Sequence, residues 1–170
     1  MRTIGTVILV FIAMQVSAQK INKTIEDPTR NKKVMLNICT REGLVSFPEM
    51  KERYDVEYPN YKPDSTVIQE LKPLVVDKKI TIVLGTWCGD SKLQVPHFFK
   101  VMDELAISGK DVTIICVDGQ KKAENGLLDN LNIERVPTII FYEAGKEKGR
   151  IIETPAATLE KDMLSILTKK

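Results

Sequence analysis

The sequence predicts an α/β sandwich with a mixed central sheet and an N-terminal extension, and three observations support this fold class. Two β-branched runs, 80–84 and 112–117, flank an amphipathic stretch, which predicts two parallel strands joined through a helix by a right-handed crossover. Two later apolar runs are separated by Glu143-Ala144-Gly145-Lys146, a turn signal typical of a hairpin that adds antiparallel strands to the sheet. A final amphipathic stretch, 155–167, predicts a helix that closes the chain.

The composition is that of one globular domain rather than of a disordered or nucleic-acid-binding chain. The chain has 170 residues, of which 43% are hydrophobic and 28% are charged, and its formal net charge is +2. This near-neutral balance provides no basic surface for nucleic acid, and the charged residues are scattered singly or in short lysine pairs. We therefore interpret the charges as solvated surface and expect no nucleic-acid partner.

The first eighteen residues have the three parts of a secretory signal peptide. Arg2 supplies a positive charge, 6–14 is apolar, and Val16-Ser17-Ala18 places small residues at the cleavage site. The apolar run is too short to span a bilayer, which takes about 20 residues, so a retained anchor is the weaker alternative. We expect 1–18 to be cleaved and the mature chain to be exported, periplasmic or secreted, with no membrane attachment.

The next segment, 19–63, is predicted to be an N-terminal extension of the main domain. Residues 19–33 are polar and are expected to form a mobile lead-in. Residues 34–63 contain three prolines and three tyrosines, which predicts an extended or partly helical arm lying across the domain. The tyrosine rings would cover apolar surface, and a wall of a substrate groove is the alternative. These tyrosines are Tyr54, Tyr58 and Tyr61.

The main domain, 64–170, is predicted to alternate strands and helices. Thr66 and Gln69 have the spacing of a capping box at the start of a helix, which Pro73 would bend or end. The remaining expected elements are, in order, a strand at 80–84, a loop and helix at 87–106, a strand at 112–117, a short helix at 123–131, strands at 136–142 and 150–152, and a helix at 155–167. The inward face of the last helix would carry Leu159, Met163, Ile166 and Leu167.

The segment from Gly85 to Lys92 follows a buried strand and opens a helix, which is a favourable place for a reactive thiol. The first helical turn has unpaired backbone N–H groups and the positive end of the helix dipole, and both favour the thiolate of Cys88. Ser91 lies three residues further on the same helix face and is expected to donate a hydrogen bond to the sulfur. Asp90 opposes the thiolate by like charge, an effect that Lys92 would partly offset.

The motif around Cys88 resembles the thioredoxin family. The resemblance rests on Trp87-Cys88-Gly89-x-x-Lys92 with Pro96 behind it, and on Val136-Pro137-Thr138 followed by an apolar strand and Gly145. It covers the chain from about residue 80 onwards. With the segment beginning at Cys39, the sequence Thr86-Trp87-Cys88-Gly89-Asp90-Ser91 looks like an exported bacterial subfamily.

The resemblance implies a thioredoxin-like three-layer sandwich and a substrate groove beside Cys88. It implies that Pro137 follows a cis peptide bond and faces Cys88, and that the Val136 backbone pairs with an extended substrate peptide. The groove residues carried over are Trp87, Gly89, Asp90, Val136 and Pro137. Two departures matter: Ser91 replaces the usual resolving cysteine, and Ile82 replaces the buried acid of the family. The site would therefore be monothiol, with Cys88 and Ser91 as its catalytic pair.

Three cysteines are an odd number, so at least one is unpaired within a monomer. Cys116 lies in an apolar strand and is interpreted as a small core residue. Cys39 is interpreted as a bystander, with a role as resolving thiol as the alternative. Export favours disulfides without requiring them. His97, the one histidine, lies nine residues beyond Cys88 on the opposite helix face, which disfavours a Cys–His pair.

These patterns lead to a functional hypothesis and two alternatives. The main hypothesis is an exported monothiol protein that performs thiol–disulfide exchange through a mixed disulfide on Cys88. One alternative is a redox-inactive binding module for a polypeptide, and the other is a sensor or peroxide scavenger that forms a sulfenic acid. No spacing indicates a metal site, a phosphate loop or a cofactor. The expected partners are protein or small-molecule thiols and disulfides, and the oligomeric state is left open.

Overall fold

The computed structural model describes residues 20–169, which build a six-stranded sheet in the order β1-β2-β4-β3-β5-β6 with helices packed against it. The predicted signal peptide, 1–18, lies outside the described residues. The strands are β1 (Lys23–Asp27), β2 (Lys32–Cys39), β3 (Lys79–Leu84), β4 (Val112–Cys116), β5 (Thr138–Glu143) and β6 (Lys146–Ile152). The helices are α1 (Arg41–Ser46), α2 (Pro48–Asn60), α3 (Ser65–Leu71), α4 (Gly89–Glu104) and α5 (Leu159–Thr168).

The mixed character of the sheet confirms the predicted α/β fold class. Strand β3 runs parallel to β4 and antiparallel to β5, and β5 forms a hairpin with β6. At the hairpin turn, Ala144 and Gly145 both have positive φ, as a two-residue turn between twisted strands requires. The amphipathic stretch between β3 and β4 forms α4, which supplies the crossover.

The core lies on both faces of β3, whose alternate side chains belong to two clusters. Ile80, Ile82 and Leu84 face the helix-covered side, where Phe98 and Phe99 of α4 are fully buried. Val83 faces the other side and packs with Ile115, Val117 and Val136. Each large apolar side chain buried in this way stabilises the fold by about 1.5–3 kcal/mol. A strand buried on both faces is therefore a continuous apolar run, which is the pattern that predicts β3.

The N-terminal extension contains more regular secondary structure than the predicted mobile lead-in and extended or partly helical arm. Strands β1 and β2 form an antiparallel hairpin, and β2 pairs antiparallel with β4, so the extension is part of the central sheet. Helices α1 and α2 follow, and Pro48 occupies the first turn of α2, where its missing N–H is harmless. The prediction of a mobile lead-in was wrong because the polar edge strand β1 lacks a marked apolar period. Helices α1 and α2 agree with the partly helical character expected of 34–63.

The three tyrosines of the extension pack on the helix-covered core. Tyr54, Tyr58 and Tyr61 are half-buried against that cluster, and the rings of Tyr54 and Tyr58 stack with centroids 4.8 Å apart. Burial and the neighbouring carboxylate of Glu160, which accepts a hydrogen bond from the Tyr61 hydroxyl at 2.7 Å, raise the pKa of Tyr61. The extension is thus fastened to the main domain by both strand pairing and aromatic packing.

Two helix predictions in the main domain need correction. Helix α3 begins two residues earlier than a Thr66 cap implies, because the Asp64 carboxylate accepts from the Thr66 N–H and Asp64 is the N-cap. The segment 123–131 forms turns instead of a short helix. Asn125, Gly126 and Asn130 there have positive φ, which a right-handed helix excludes. Its leucines still pack against the cluster that contains Val83.

The closing helix has the predicted inward face, since Leu159, Met163, Ile166 and Leu167 are all buried. Its start is capped by the hydroxyl of Thr158, which accepts from the Lys161 N–H. Among residues 20–169 no helix combines the length and hydrophobicity needed to cross a membrane.

A buried carboxylate holds the tip of the β1–β2 hairpin against the main domain. Asp27 is 3% exposed and accepts hydrogen bonds from the N–H and hydroxyl of Thr29, from the Arg30 N–H and from the Gly119 N–H. The Thr29 hydroxyl lowers the pKa of Asp27 most strongly, burial opposes it, and the backbone donors make the net shift downward. The interaction with Gly119 spans 92 residues of chain, so it ties the extension to the loop after β4.

We expect Asp27→Asn to lower the free energy of unfolding by about 1–3 kcal/mol, because one acceptor oxygen becomes an N–H₂ that faces N–H donors. The folded-state pKa of Asp27 lies below 3.8, so its stabilising contribution is present above that pH and is lost as the pH falls further. Urea unfolding above and below pH 3.8 measures both effects, and the variant should lose this part of the acid sensitivity.

The matched control is Asp55→Asn on the exposed face of α2, where the carboxylate pairs with Lys51. This exposed pair should contribute less than about 1 kcal/mol. Equal stability losses in the two variants would contradict the proposed role of Asp27.

Candidate active site

Cys88 occupies the N-cap position of α4, directly after the turn that leaves β3. Its backbone is extended (φ −85°, ψ 129°), its N–H donates to the Gly85 carbonyl at 2.9 Å, and its carbonyl accepts from the Lys92 N–H at 3.1 Å. The side chain is half-buried and makes no capping hydrogen bond to the helix. The backbone N–H groups of the first helical turn are therefore not capped by this side chain.

The sulfur of Cys88 faces the segment that leads into β5. Its S–H donates to the Val136 carbonyl, with 3.1 Å between sulfur and oxygen, and the Val136–Pro137 peptide bond is cis. Val136 and Pro137 are both buried, so this acceptor is held in place. A carbonyl oxygen can only accept, so this hydrogen bond exists while the sulfur carries its proton.

Ser91 does not make the predicted hydrogen bond to the sulfur. The side chain is fully buried, and its oxygen accepts from the Gly85 N–H at 3.3 Å. This amide follows the end of β3, where a buried N–H needs an acceptor. Within residues 20–169 no hydrogen bond joins Ser91 to Cys88, so the serine positions the turn before the cysteine rather than tuning the sulfur directly.

Trp87 lies beside Cys88 and forms one wall of the site. The indole N–H donates to the Val117 carbonyl at 3.1 Å, and the half-buried ring packs on the Val83 side of the sheet. Gly85 is required beneath it, because a Cβ at that position would lie 2.6 Å from the indole.

Arg30 is a residue of the site that sequence reasoning missed. Its guanidinium carbon lies 3.8 Å from the centroid of the Trp87 ring, and the group also donates to the Gly119 carbonyl at 3.3 Å. A cation over an indole face is attracted by the ring quadrupole. No sequence signal could reveal this contact, since a single arginine in a polar segment is indistinguishable from ordinary surface.

The other motif residues have distinct surroundings. Gly89 is exposed, and a Cβ there would meet no atom within 4 Å. Asp90 is partly exposed and makes no ion pair within residues 20–169. Lys92 turns away from the sulfur and binds Glu49 at 3.1 Å, a carboxylate that also binds Lys32 at 3.2 Å. Burial raises the pKa of Glu49, but the hydrogen bonds from both lysines outweigh burial, and the net shift is downward.

The remaining candidate residues lie apart from Cys88. Cys116 is fully buried and Cys39 nearly so, and both belong to the helix-covered side of the sheet, whereas Cys88 packs on the opposite side. His97 stacks on the Tyr61 ring with centroids 4.3 Å apart and contacts Glu57 at 3.0 Å. Among residues 20–169 no group of three or more histidine, cysteine or acidic side chains is arranged to hold a metal ion.

Comparison with known proteins identifies the family on which this architecture is built. The thioredoxin family model matches residues 60–165. The chain is 32% identical over 87 residues to a thioredoxin of Mycoplasma genitalium, an alignment that covers 50% of this chain and 79% of that protein. It is 32% identical over 113 residues to the chloroplastic M-type thioredoxin of Spinacia oleracea, covering 65% and 55% of the two chains.

The solved structure of thioredoxin O2 from Arabidopsis thaliana in its oxidised state aligns with a TM-score of 0.41 and 20% identity, over 61% of this chain and 86% of that one. The chain spans between 37% and 79% of the lengths of the curated relatives that it matches.

The contact between Arg30 and Trp87 can be measured directly, because Trp87 is the one tryptophan of the chain. Arg30→Ala should uncover one face of the indole and move its fluorescence emission to longer wavelength, with a stability loss of about 0.5–1 kcal/mol. The matched control is Lys33→Ala, an exposed cation of the same hairpin, which should leave the spectrum unchanged. Identical emission from Arg30→Ala and the unmutated protein would show that the stacking is absent in solution.

Proposed function

Because this chain belongs to the thioredoxin family, we propose that it acts in thiol–disulfide exchange through Cys88, as an exported monothiol protein. The single observation that carries the proposal is the position of the Cys88 sulfur. It lies at the N-terminus of α4, partly exposed, and within hydrogen-bonding distance of the Val136 carbonyl next to a cis peptide bond. The other two cysteines are buried, so Cys88 is the thiol that a folded substrate can reach.

The first step of the proposed exchange is attack of the Cys88 thiolate on one sulfur of a substrate disulfide. A bond forms between Cys88 and that sulfur, the substrate disulfide breaks, and the departing thiolate takes up a proton. The N–H groups at the start of α4 stabilise the attacking thiolate before the step.

Binding of substrate and loss of the thiol proton are coupled through Val136. Its carbonyl accepts from the Cys88 S–H in the free protein, and it is released when the sulfur becomes a thiolate or a mixed disulfide. The released carbonyl can then accept an N–H from an extended substrate segment, as a strand edge does. Trp87 and Gly89 border the same opening, which supports their proposed role in the groove.

The second step requires a thiol from outside the chain. Ser91 stands where a resolving cysteine would be needed, and a hydroxyl is too weak a nucleophile to displace a thiolate from sulfur. Cys39 and Cys116 pack on the other side of the sheet. A small-molecule or protein thiol therefore attacks the mixed disulfide, regenerates Cys88 and becomes oxidised in its place.

Export is supported by the first eighteen residues, where a positive charge, an apolar run and a small-residue cleavage site follow one another. We propose that the mature protein acts in the periplasm or is secreted. Disulfides, the proposed substrates, form and persist in such oxidising compartments.

The monothiol mechanism can be tested with dithiobis(nitrobenzoate), a disulfide that releases a coloured aromatic thiolate. The unmutated protein should rapidly release one equivalent and retain the second aromatic thiol as a stable mixed disulfide on Cys88. Cys88→Ala should lose this rapid phase and show only a slower release from the two buried cysteines. Ser91→Cys should release two equivalents and end as an intramolecular disulfide, because the added thiol resolves the adduct.

Ser165→Cys is the matched control, since it adds a thiol on the exposed side of α5 without placing it beside Cys88. It should bind a second aromatic thiol and retain both adducts. Rapid loss of the adduct from the unmutated protein would contradict the monothiol mechanism. An unreactive Cys88 would overturn the redox proposal and leave a thioredoxin-fold binding module for polypeptides.

A further inference from the structure

Two cysteines outside the candidate active site meet inside the protein. The sulfurs of Cys39 and Cys116 are 2.8 Å apart, although 77 residues separate them along the chain. They lie on β2 and β4, where Cys39 is opposite Ile114 and Cys116 is opposite Asn37, so they are diagonal neighbours across an antiparallel pair. Both side chains point to the helix-covered side of the sheet.

We propose that Cys39 and Cys116 are a second redox couple, which forms a reversible intramolecular disulfide between the N-terminal extension and the main domain. A disulfide bond is about 2.05 Å long, so the two sulfurs need to approach by only roughly 0.8 Å. The strands that carry them are already paired, so the two side chains start from neighbouring positions on the same face of the sheet.

Formation of this bond is a two-electron oxidation that consumes one external disulfide. The Cys39 thiolate attacks a sulfur of a small-molecule or protein disulfide, forms a mixed disulfide and releases the first thiol. The Cys116 thiolate then attacks the sulfur of Cys39, closes the Cys39–Cys116 bond and releases the second thiol. The two cysteines lose two electrons and two protons, and the external disulfide is reduced to two thiols.

The surroundings of the pair indicate the order of these attacks. Cys39 lines a cavity of about 400 Å³ that also contains Arg41, Phe99 and Met102. Cys116 lies behind it and is fully buried, and burial together with the neighbouring Cys39 raises the pKa of the Cys116 thiol. A small disulfide that enters the cavity therefore meets Cys39 first, and Cys116 resolves the adduct.

This couple is chemically separate from Cys88. The sheet lies between them, because Ile114 and Cys116 face one side of β4 whereas Ile115 and Val117 face the side on which Cys88 packs. The inference therefore does not depend on the proposed function of Cys88. The disulfide would link β2 covalently to β4. It would thereby also hold the β1–β2 hairpin, whose Arg30 contacts Trp87.

The test uses the full chain with Cys88→Ala, which removes the exposed thiol and leaves Cys39 and Cys116 as the two cysteines. The reduced protein is incubated with oxidised glutathione, then denatured and alkylated. We expect two alkylated cysteines before oxidation and none after it, with an intact mass lower by about 2 Da than that of the reduced chain. Dithiothreitol should restore both thiols, and peptide mapping should identify the Cys39–Cys116 link.

Thermal unfolding provides a second measurement. The oxidised Cys88→Ala protein should unfold at a higher temperature than the same protein reduced, because the bond closes a long loop. Cys88→Ala with Cys39→Ala should show no redox-dependent shift. Two thiols that stay alkylatable after oxidation, glutathione that remains attached to Cys39, or disulfides only between chains would each overturn the proposal. Because every variant lacks Cys88, these outcomes are independent of the exchange reaction proposed for that residue.

Discussion

The end of the buried strand β3 is the constraint on which the rest of the structure depends. The strand lies between β4 and β5 and is buried on both faces, so packing on both sides holds its last residue, Leu84, in place. Only Gly85, Thr86 and Trp87 separate it from Cys88, and Gly85 is held by Ser91 and covered by the indole of Trp87. The first turn of α4, and the sulfur at its N-cap, are therefore placed by the most buried part of the sheet.

The surroundings of the Cys88 sulfur follow from this placement. The sulfur lies at the N-cap of α4, and its S–H donates to the Val136 carbonyl. In the exchange that we propose, an extended substrate segment would replace the thiol as the donor to the Val136 carbonyl. Binding of that segment would then free the Cys88 sulfur for its attack on a disulfide.

The N-terminal extension is integral to this arrangement and does not simply lie across it. Strand β2 belongs to the central sheet, Asp27 anchors the hairpin to Gly119, and Arg30 covers the face of Trp87. Glu49 of α2 binds Lys92, one turn beyond Cys88. The closely spaced sulfurs of Cys39 and Cys116 add a position at which the extension and the main domain can be joined covalently.

The sequence by itself determined the elements whose signals are local. Periodicity and residues adjacent in the chain were enough to predict these elements. They are the apolar runs of β3, β4 and β5, the hairpin turn at Ala144 and Gly145, and the motif around Cys88. The predicted helix at 123–131 did not form, because asparagine and glycine in the left-handed region override a short apolar period.

Only the tertiary structure decided which partners the distant residues meet. Four contacts join residues whose proximity no local sequence pattern predicts. They are the pairing of β2 with β4, the contact of Arg30 with Trp87, the hydrogen bond that Ser91 accepts from Gly85, and the approach of Cys39 to Cys116. Cross-strand pairs and buried hydrogen bonds take their energy from neighbours in space, and those neighbours exist only once the sheet has formed.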